Sequence, residues 1–141
     1  MISAENLKLY LAMKRKDERS TMEDALVLDG FDVRTFGTAE ELWSAFEITP
    51  ARMVISERLF PGSLNGLDLV ANIRKFHLTP YVYSVILSPM GSLKQIKEAL
   101  DVGVDDYLVR PHHRLQLRSR ALVGTRWLNY IDSLFQNTTA K

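Results

Sequence analysis

Hydrophobic and polar positions follow two alternating patterns along this chain. Short runs of apolar or β-branched residues are separated by segments in which apolar residues recur every three or four positions. The runs predict five strands, over residues 7–13, 31–36, 53–55, 81–87 and 107–109. The segments between them predict helices, and the connections are short. This alternation predicts an α/β fold: a doubly wound, five-stranded parallel sheet covered by helices on both faces, in three α/β/α layers.

Capping boxes mark three of the helix starts, because a Ser or Thr is followed three positions later by Glu or Gln. The boxes begin at Ser20, Thr38 and Ser92. We therefore expect the first helix to begin near Ser20 and to end at Gly30, since glycine is common just after a helix. Apolar spacing predicts a buried face on the fourth helix, made by Leu93, Ile96, Ala99 and Leu100.

The final segment, from about His113 to Phe135, predicts one helix or a helix with a hinge at Gly124. An apolar stripe runs along its later part, made by Leu128, Ile131, Leu134 and Phe135, with Trp127 beside them. We divide the chain into a domain over 1–123 and a helical extension or linker over 124–141. The stripe could fold back onto the domain, form a dimer or lead into a further domain.

Composition narrows the classes of function. The chain has 141 residues, of which 46% are hydrophobic and 25% charged, as in an ordinary globular domain. It contains no cysteine, which excludes disulfides and thiolate-bound metals. A net charge of +1 argues against direct nucleic-acid binding. Apolar runs stay well short of the roughly 20 residues of a membrane span. No Ser-His-Asp arrangement or glycine-rich phosphate loop is apparent in the sequence. We expect a cytoplasmic protein without a cofactor.

One carboxylate stands where a buried strand ends. Glu57 follows the apolar run 53–55, and two turn signals, Pro61-Gly62 and Asn65-Gly66, come after it. In open α/β sheets, ligands bind at the carboxyl ends of the strands. The same edge receives the ends of three other predicted strands, at Met13-Lys14, Ser88 and Arg110. The sequence therefore predicts a pocket around Glu57.

The order and spacing of these residues resemble the receiver domains of two-component response regulators, over roughly residues 7–122. Glu57 matches the phospho-accepting Asp of that family, and Ser88 matches the Thr or Ser that ends the fourth strand. The segment Val104–Pro111 resembles the family's ADDY-x-x-KP motif. The resemblance implies a flavodoxin-like fold and a cis bond before Pro111. It also implies that Tyr107 is the aromatic residue that reports phosphorylation, although packing alone would explain it as well.

Departures from the family pattern bear on the chemistry. Glu57 replaces Asp, and its extra methylene moves the carboxylate outward by about 1.5 Å, enough to impair a positioned reaction. Arg110 replaces Lys. Met13 and Lys14 stand where the family's acidic pair holds Mg²⁺, and they offer no carboxylate ligand. A local match would instead place Asp17-Glu18 there and shorten the first helix by about a turn.

These departures predict a degenerate receiver: a non-catalytic, phosphorylation-independent interaction module in signalling, with no bound metal. Glu57 is expected to pair with Arg110, and Lys14 could join. The pair could simply fill the pocket, or it could imitate the phosphorylated arrangement. A third interpretation is that surplus cations bind an anion; the cations are Lys14, Arg15, Lys16, Arg58 and Arg110.

The sequence leaves two alternatives to a degenerate receiver. The domain could still be phosphorylated, with Asp17, Glu18 and Glu57 around a metal, or it could be the regulatory half of a transcription factor or cyclic-dinucleotide enzyme.

The resemblance implies that partners bind the face made by the fourth helix, fifth strand and fifth helix. Aromatic and arginine side chains there suit an acidic protein surface or a second copy of the chain. The interface candidates are Tyr107, Arg118 and Trp127.

Overall fold

The computed structural model describes residues 6–111 and 114–139, with side chains up to residue 135. Strands and helices alternate strictly: β1 Lys8–Ala12, α1 Lys16–Leu28, β2 Asp32–Phe36, α2 Ala39–Ile48, β3 Met53–Glu57, α3 Gly66–Phe76, β4 Tyr83–Ser88, α4 Leu93–Val102, β5 Asp106–Val109 and α5 Arg114–Thr139. The predicted start of the last helix near His113 lies outside the described residues. Within the described part of the chain, no helix has the length and apolar character needed to cross a membrane.

All five strands are parallel and form one sheet in the order β2-β1-β3-β4-β5. Side chains alternate between its faces, so Leu9 and Leu11 join a core under α1 and α5, whereas Tyr10 and Ala12 join a core under α2 and α3. A third cluster sits between α3, α4 and β4. The predicted flavodoxin-like, three-layer α/β/α fold is confirmed. Its central strands β1 and β3 bring their carboxyl ends together at the predicted pocket.

The first helix begins earlier than predicted. It starts at Lys16, with Arg15 in the capping position, so the helix start that the capping box predicted at Ser20 is wrong. Two acidic residues in the first turn, Asp17 and Glu18, favour this start because they lie near the positive end of the helix dipole. Arg15 pairs with both of them. The predicted end is close to the observed one: Asp29 caps the helix and Gly30 follows with a φ of 95°.

The predicted caps of α2 and α4 are found, but only part of the predicted face of α4 is buried, at Ala99 and in part at Ile96. Thr38 accepts a hydrogen bond from the Glu41 amide, and Ser92 forms a complete capping box with Gln95. Within α4, which is described throughout, Ala99 alone is buried. Leu93 is 83% exposed and Leu100 is 52% exposed. The helix covers the short edge strand β5, which offers little apolar surface for a wider face.

The last helix runs without a hinge past Gly124, because this glycine serves a close approach. A Cβ at Gly124 would lie 2.7 Å from Tyr83 Cδ1 and 2.8 Å from Met53 Cε. Beyond this contact Leu128 is buried, and Arg52 donates two hydrogen bonds to the Asp132 carboxylate, each 3.0 Å long. Part of the predicted stripe therefore packs on the domain. The domain boundary at residue 124 stays a prediction.

Candidate functional site

The predicted pocket is centred on the carboxylate of Glu57. This residue ends β3, and its side chain is 10% exposed. Arg110 Nη2 donates to Glu57 Oε2 at 2.7 Å, and the Lys14 backbone amide donates to Oε1 at 2.5 Å. The predicted contact between Glu57 and Arg110 is confirmed, and the Arg110–Pro111 bond is cis as expected. Both carboxylate oxygens are thus engaged by the protein itself.

Lys14 joins the pocket through its backbone and not through its ammonium group. Its Nζ donates to the Leu59 carbonyl at 2.6 Å and lies 5.6 Å from the centroid of the Phe60 ring. The side chain therefore holds the loop between β3 and α3 beside the pocket. Lys14 therefore joins Glu57 through its amide, while a carbonyl and a ring face within reach hold its ammonium group.

A second carboxylate reaches the pocket from α1. Arg110 Nη1 lies 2.7 Å from Glu18 Oε2, while its Nη2 holds Glu57. The guanidinium therefore bridges two carboxylates, as its planar fork allows. Glu18 gains this position because α1 begins at Lys16 and not at Ser20. The local match at Asp17-Glu18 was the sequence signal for this residue.

The donors in the pocket do not fit a magnesium ion. Met13 and Lys14 follow β1 directly, where the family resemblance expects the acidic pair. The Met13 side chain is buried in the core, and neither residue offers a side-chain oxygen. The nearby carboxylates of Glu18 and Glu57 are both paired with Arg110. Across the described residues, no group of three or more His, Asp or Glu could hold a metal ion.

Ser88 is fully buried at the end of β4, as expected from its place in the sequence. Its hydroxyl accepts a hydrogen bond from the Met90 amide at 3.0 Å, and its carbonyl accepts one from the Arg110 amide at 2.8 Å. The residue therefore shapes the turn after β4 and joins that turn to the segment carrying Arg110.

Arg58 and Tyr107 form a second polar group, on the other face of the sheet. The Tyr107 hydroxyl donates to the Met90 carbonyl at 2.7 Å and accepts from Arg58 Nη1 at 3.2 Å. Arg58 also donates to the Gln95 carbonyl and to the Glu98 carboxylate, each at 2.9 Å. The sequence placed Arg58 among the cations that could bind an anion. In the structure, its guanidinium binds groups of the protein itself.

A partly buried network at the opposite edge of the sheet was also missed. The Asp105 carboxylate accepts hydrogen bonds from Arg74 and from the Ser84 amide, each at 2.8 Å, and from the Tyr81 hydroxyl. Burial, together with the bond to Asp105, raises the pKa of Tyr81 well above its usual value. The network joins α3 to the start of β4 and β5. It gives Asp105 a structural role.

The two interface candidates on α5 have different surroundings. Arg118 donates to both oxygens of Asp29, at 2.8 and 2.7 Å, and this hydrogen bonding lowers the pKa of the Asp29 carboxyl. Its side chain thus ties α5 to the end of α1, and the placement of Arg118 on the partner surface stays a prediction. Trp127 is 52% exposed and packs edge-on against Tyr130, with ring centroids 6.0 Å apart.

Comparison with known proteins gives one family. The family model for the response regulator receiver domain matches residues 15–122. The transcriptional regulator NtrC of Azospirillum brasilense is 30% identical over 101 residues, which are 72% of this chain and 20% of NtrC. The chain spans less than half the length of the first curated relatives it matches.

Solved structures agree on the fold. The signal receiver domain of a LuxO repressor protein from Vibrio parahaemolyticus superposes with a TM-score of 0.83 at 14% identity, covering 92% of this chain and 97% of that one. A chain of the CheX–CheY–BeF3–Mg²⁺ complex from Borrelia burgdorferi gives a TM-score of 0.75 at 16% identity, covering 84% of this chain and 89% of that one.

Proposed function

The chain belongs to the response regulator receiver domain family, and we propose that it acts there as a regulatory module that works without phosphorylation. The observation that carries this proposal is the state of Glu57, whose two carboxylate oxygens are held by Arg110 and by the Lys14 amide. A carboxylate that is already paired on both oxygens is a poor nucleophile for an incoming phosphoryl group.

The requirements of phosphoryl transfer support the proposal. The reaction needs an in-line approach and a cation that neutralises the charge on the moving group. Here the Arg110 guanidinium occupies Glu57 and Glu18 together, so a phosphoryl group would first have to displace it. The alternative of a metal-dependent receiver built on Asp17, Glu18 and Glu57 is not favoured. Arg15 pairs with Asp17, and Arg110 pairs with the other two carboxylates.

The first prediction is that phosphodonors do not phosphorylate the protein. We expect a small acyl phosphate with Mg²⁺ to leave the mass of the intact protein unchanged, because both Glu57 oxygens are already paired and the described residues of the pocket offer no magnesium ligand set. Intact-mass spectrometry at neutral pH measures this directly, with an active receiver domain as the positive control. An acid-labile gain of one phosphoryl group that disappears in the Glu57→Gln variant would contradict the proposal.

We further propose that the module acts through a protein partner on the face formed by α4, β5 and α5, called here the α4–β5–α5 face. It exposes apolar side chains at Leu93, Leu100 and Val109, with Lys94 and Lys97 beside them. Lys97 pairs with Asp101, and Lys94 stands beside exposed Leu93. Exposed apolar residues with a cation beside them suit an acidic protein surface. Receiver domains do form protein complexes, as in the CheX–CheY structure.

A second copy of the chain is the homodimer version of this proposal. On α5, Val123, Trp127 and Tyr130 are exposed at spacings of four and three residues, which is the spacing of a helix–helix seam. Tryptophan and tyrosine are also the residues that most often anchor interfaces. We call these three residues the α5 seam.

We expect the intact chain to self-associate through the α5 seam, because two seams can pack against each other about a two-fold axis. Light scattering over a range of concentrations should give a dimer mass for the unmodified chain and a monomer mass for the Trp127→Ala/Tyr130→Ala variant. Leu28→Ala, which truncates an exposed leucine on α1, is the matched control and should remain dimeric. A monomer mass for the unmodified chain at every concentration would overturn the homodimer. Truncation after Gly124 is a poorer test, since it would remove the buried Leu128.

A regulatory domain of a transcriptional regulator is the second candidate function. The names of the curated relatives favour it, since NtrC and the ycf27 proteins are described as transcriptional regulators. The coding sequence that adjoins this chain tests it, because a DNA-binding domain in the same reading frame is expected.

A further inference from the structure

Arg58 lies next to Glu57 in the sequence but acts on the opposite face of the sheet. We propose that Arg58 is a positioning residue that fixes α4 and Tyr107 in one arrangement, and so sets the shape of the α4–β5–α5 face. The inference rests on the proposed function only in treating that face as the partner surface.

The main chain of Arg58 is a rigid base for this role. Its amide donates to the Leu87 carbonyl at 2.8 Å, and its carbonyl accepts from the Gly66 amide at 2.8 Å. These bonds attach the residue to β4 on one side and to the start of α3 on the other. Because side chains alternate along a strand, Glu57 points towards α1 and α5, and Arg58 points towards α4. The side chain thus leaves a fixed point in the sheet.

The guanidinium of Arg58 joins three groups that otherwise belong to separate elements. It donates to the Gln95 carbonyl and the Glu98 carboxylate on α4, and to the Tyr107 hydroxyl on β5. Arg58 is only 8% exposed, so its guanidinium is largely shielded from water, whereas the Glu98 carboxylate is half-exposed. Hydrogen bonds with a charged donor are about twice as strong as neutral ones. One side chain therefore connects the sheet, α4 and Tyr107.

The helix that Arg58 holds has little other attachment to the sheet. Ala99 alone is buried in α4, whereas α2 and α3 each bury four residues. A helix with a small apolar contact opens more readily than its neighbours, since local stability follows local burial. Polar anchoring by Arg58 is therefore a larger share of what holds α4 than it would be for α2 or α3.

Tyr107 completes the arrangement. Its hydroxyl donates to the Met90 carbonyl in the segment before α4, and Arg58 holds the same oxygen from the other side. The ring is thereby kept inward, between β5 and α4. Loss of Arg58 would release both α4 and this ring, whereas loss of Arg110 would affect the pocket on the far face.

Thiol protection tests the inference, because the chain has no cysteine of its own. The Ala99→Cys variant places one thiol on the buried side of α4, and Ala25→Cys places a reference thiol under α1; both alanines are buried. Each is combined with Arg58→Met, and the rate of reaction with a small aromatic disulfide is followed by absorbance. We expect Arg58→Met to speed the reaction of the α4 thiol about tenfold or more and to leave that of the α1 thiol within about twofold.

Further variants separate positioning from general destabilisation. Glu98→Gln keeps Arg58 but weakens one of its bonds at a half-exposed site, so a smaller rise at the α4 thiol alone is expected. Arg110→Met should leave the ratio of the two rates unchanged, which separates this inference from the state of the pocket. An unchanged α4 rate in Arg58→Met, or an equal rise at both thiols, would overturn the inference. No phosphodonor or partner is involved, so the result is independent of the proposed function.

Discussion

Replacing Arg110 with methionine should lower the free energy of unfolding by about 2–4 kcal/mol, a range set by the loss of one partner from a largely buried ion pair. The Glu57 side chain is 10% exposed, and in this variant its carboxylate would keep the hydrogen bond from the Lys14 amide but lose the bond from Arg110. The variant would also leave Glu18 facing Glu57 without the cation between them. Urea unfolding followed by circular dichroism measures the change.

Two comparisons make this result specific to the pocket. Arg126→Met removes an exposed arginine from α5 and should change the free energy of unfolding by no more than about 0.5 kcal/mol. Adding Glu57→Gln to Arg110→Met should restore part of the loss, because the amide carries no charge to leave unpaired. If Arg110→Met unfolds with the same midpoint and slope as the unmodified chain, the pair contributes nothing and the filled pocket loses its energetic basis.

The fold was predictable because the apolar runs are strong and the connections between them are short. The run at 53–55 lies in a strand buried on both faces, which only a parallel sheet covered by helices explains. The start of α1 was not predictable from the capping box at Ser20. Acidic residues one turn earlier, together with their pairing to Arg15, favoured a different start.

The site was predictable where strand ends determine position and not where long side chains choose between partners. Glu57 ends β3 and Arg110 follows β5, so both lie at the carboxyl edge of one parallel sheet, with β4 between them, and a long arginine side chain can bridge that gap. Lys14 and Arg58 also follow strand ends, but each has a flexible side chain that can reach several acceptors. Their actual partners, the Leu59 carbonyl and the α4 groups, depend on loop and helix placement that the hydrophobic pattern does not encode.

The second large effect is expected from Gly66→Ala, which should lower the free energy of unfolding by about 3 kcal/mol, because overpacking against backbone cannot relax by a change of rotamer. A Cβ at Gly66 would lie 2.2 Å from the Glu57 carbonyl oxygen and 3.0 Å from Arg58 Cα. To admit the methyl group, α3 would have to move away from the end of β3, and the bond from the Gly66 amide to the Arg58 carbonyl would break. Gly37→Ala is the matched control, since its Cβ would meet only Arg19 Nη1, at 3.5 Å, and should be nearly neutral. Chemical denaturation of both variants measures the difference. Equal stability of the two variants would mean that α3 does not approach the end of β3 closely. The backbone of Glu57 and Arg58 would then not be the fixed base that both the Glu57 pocket and the bonds from Arg58 to α4 require.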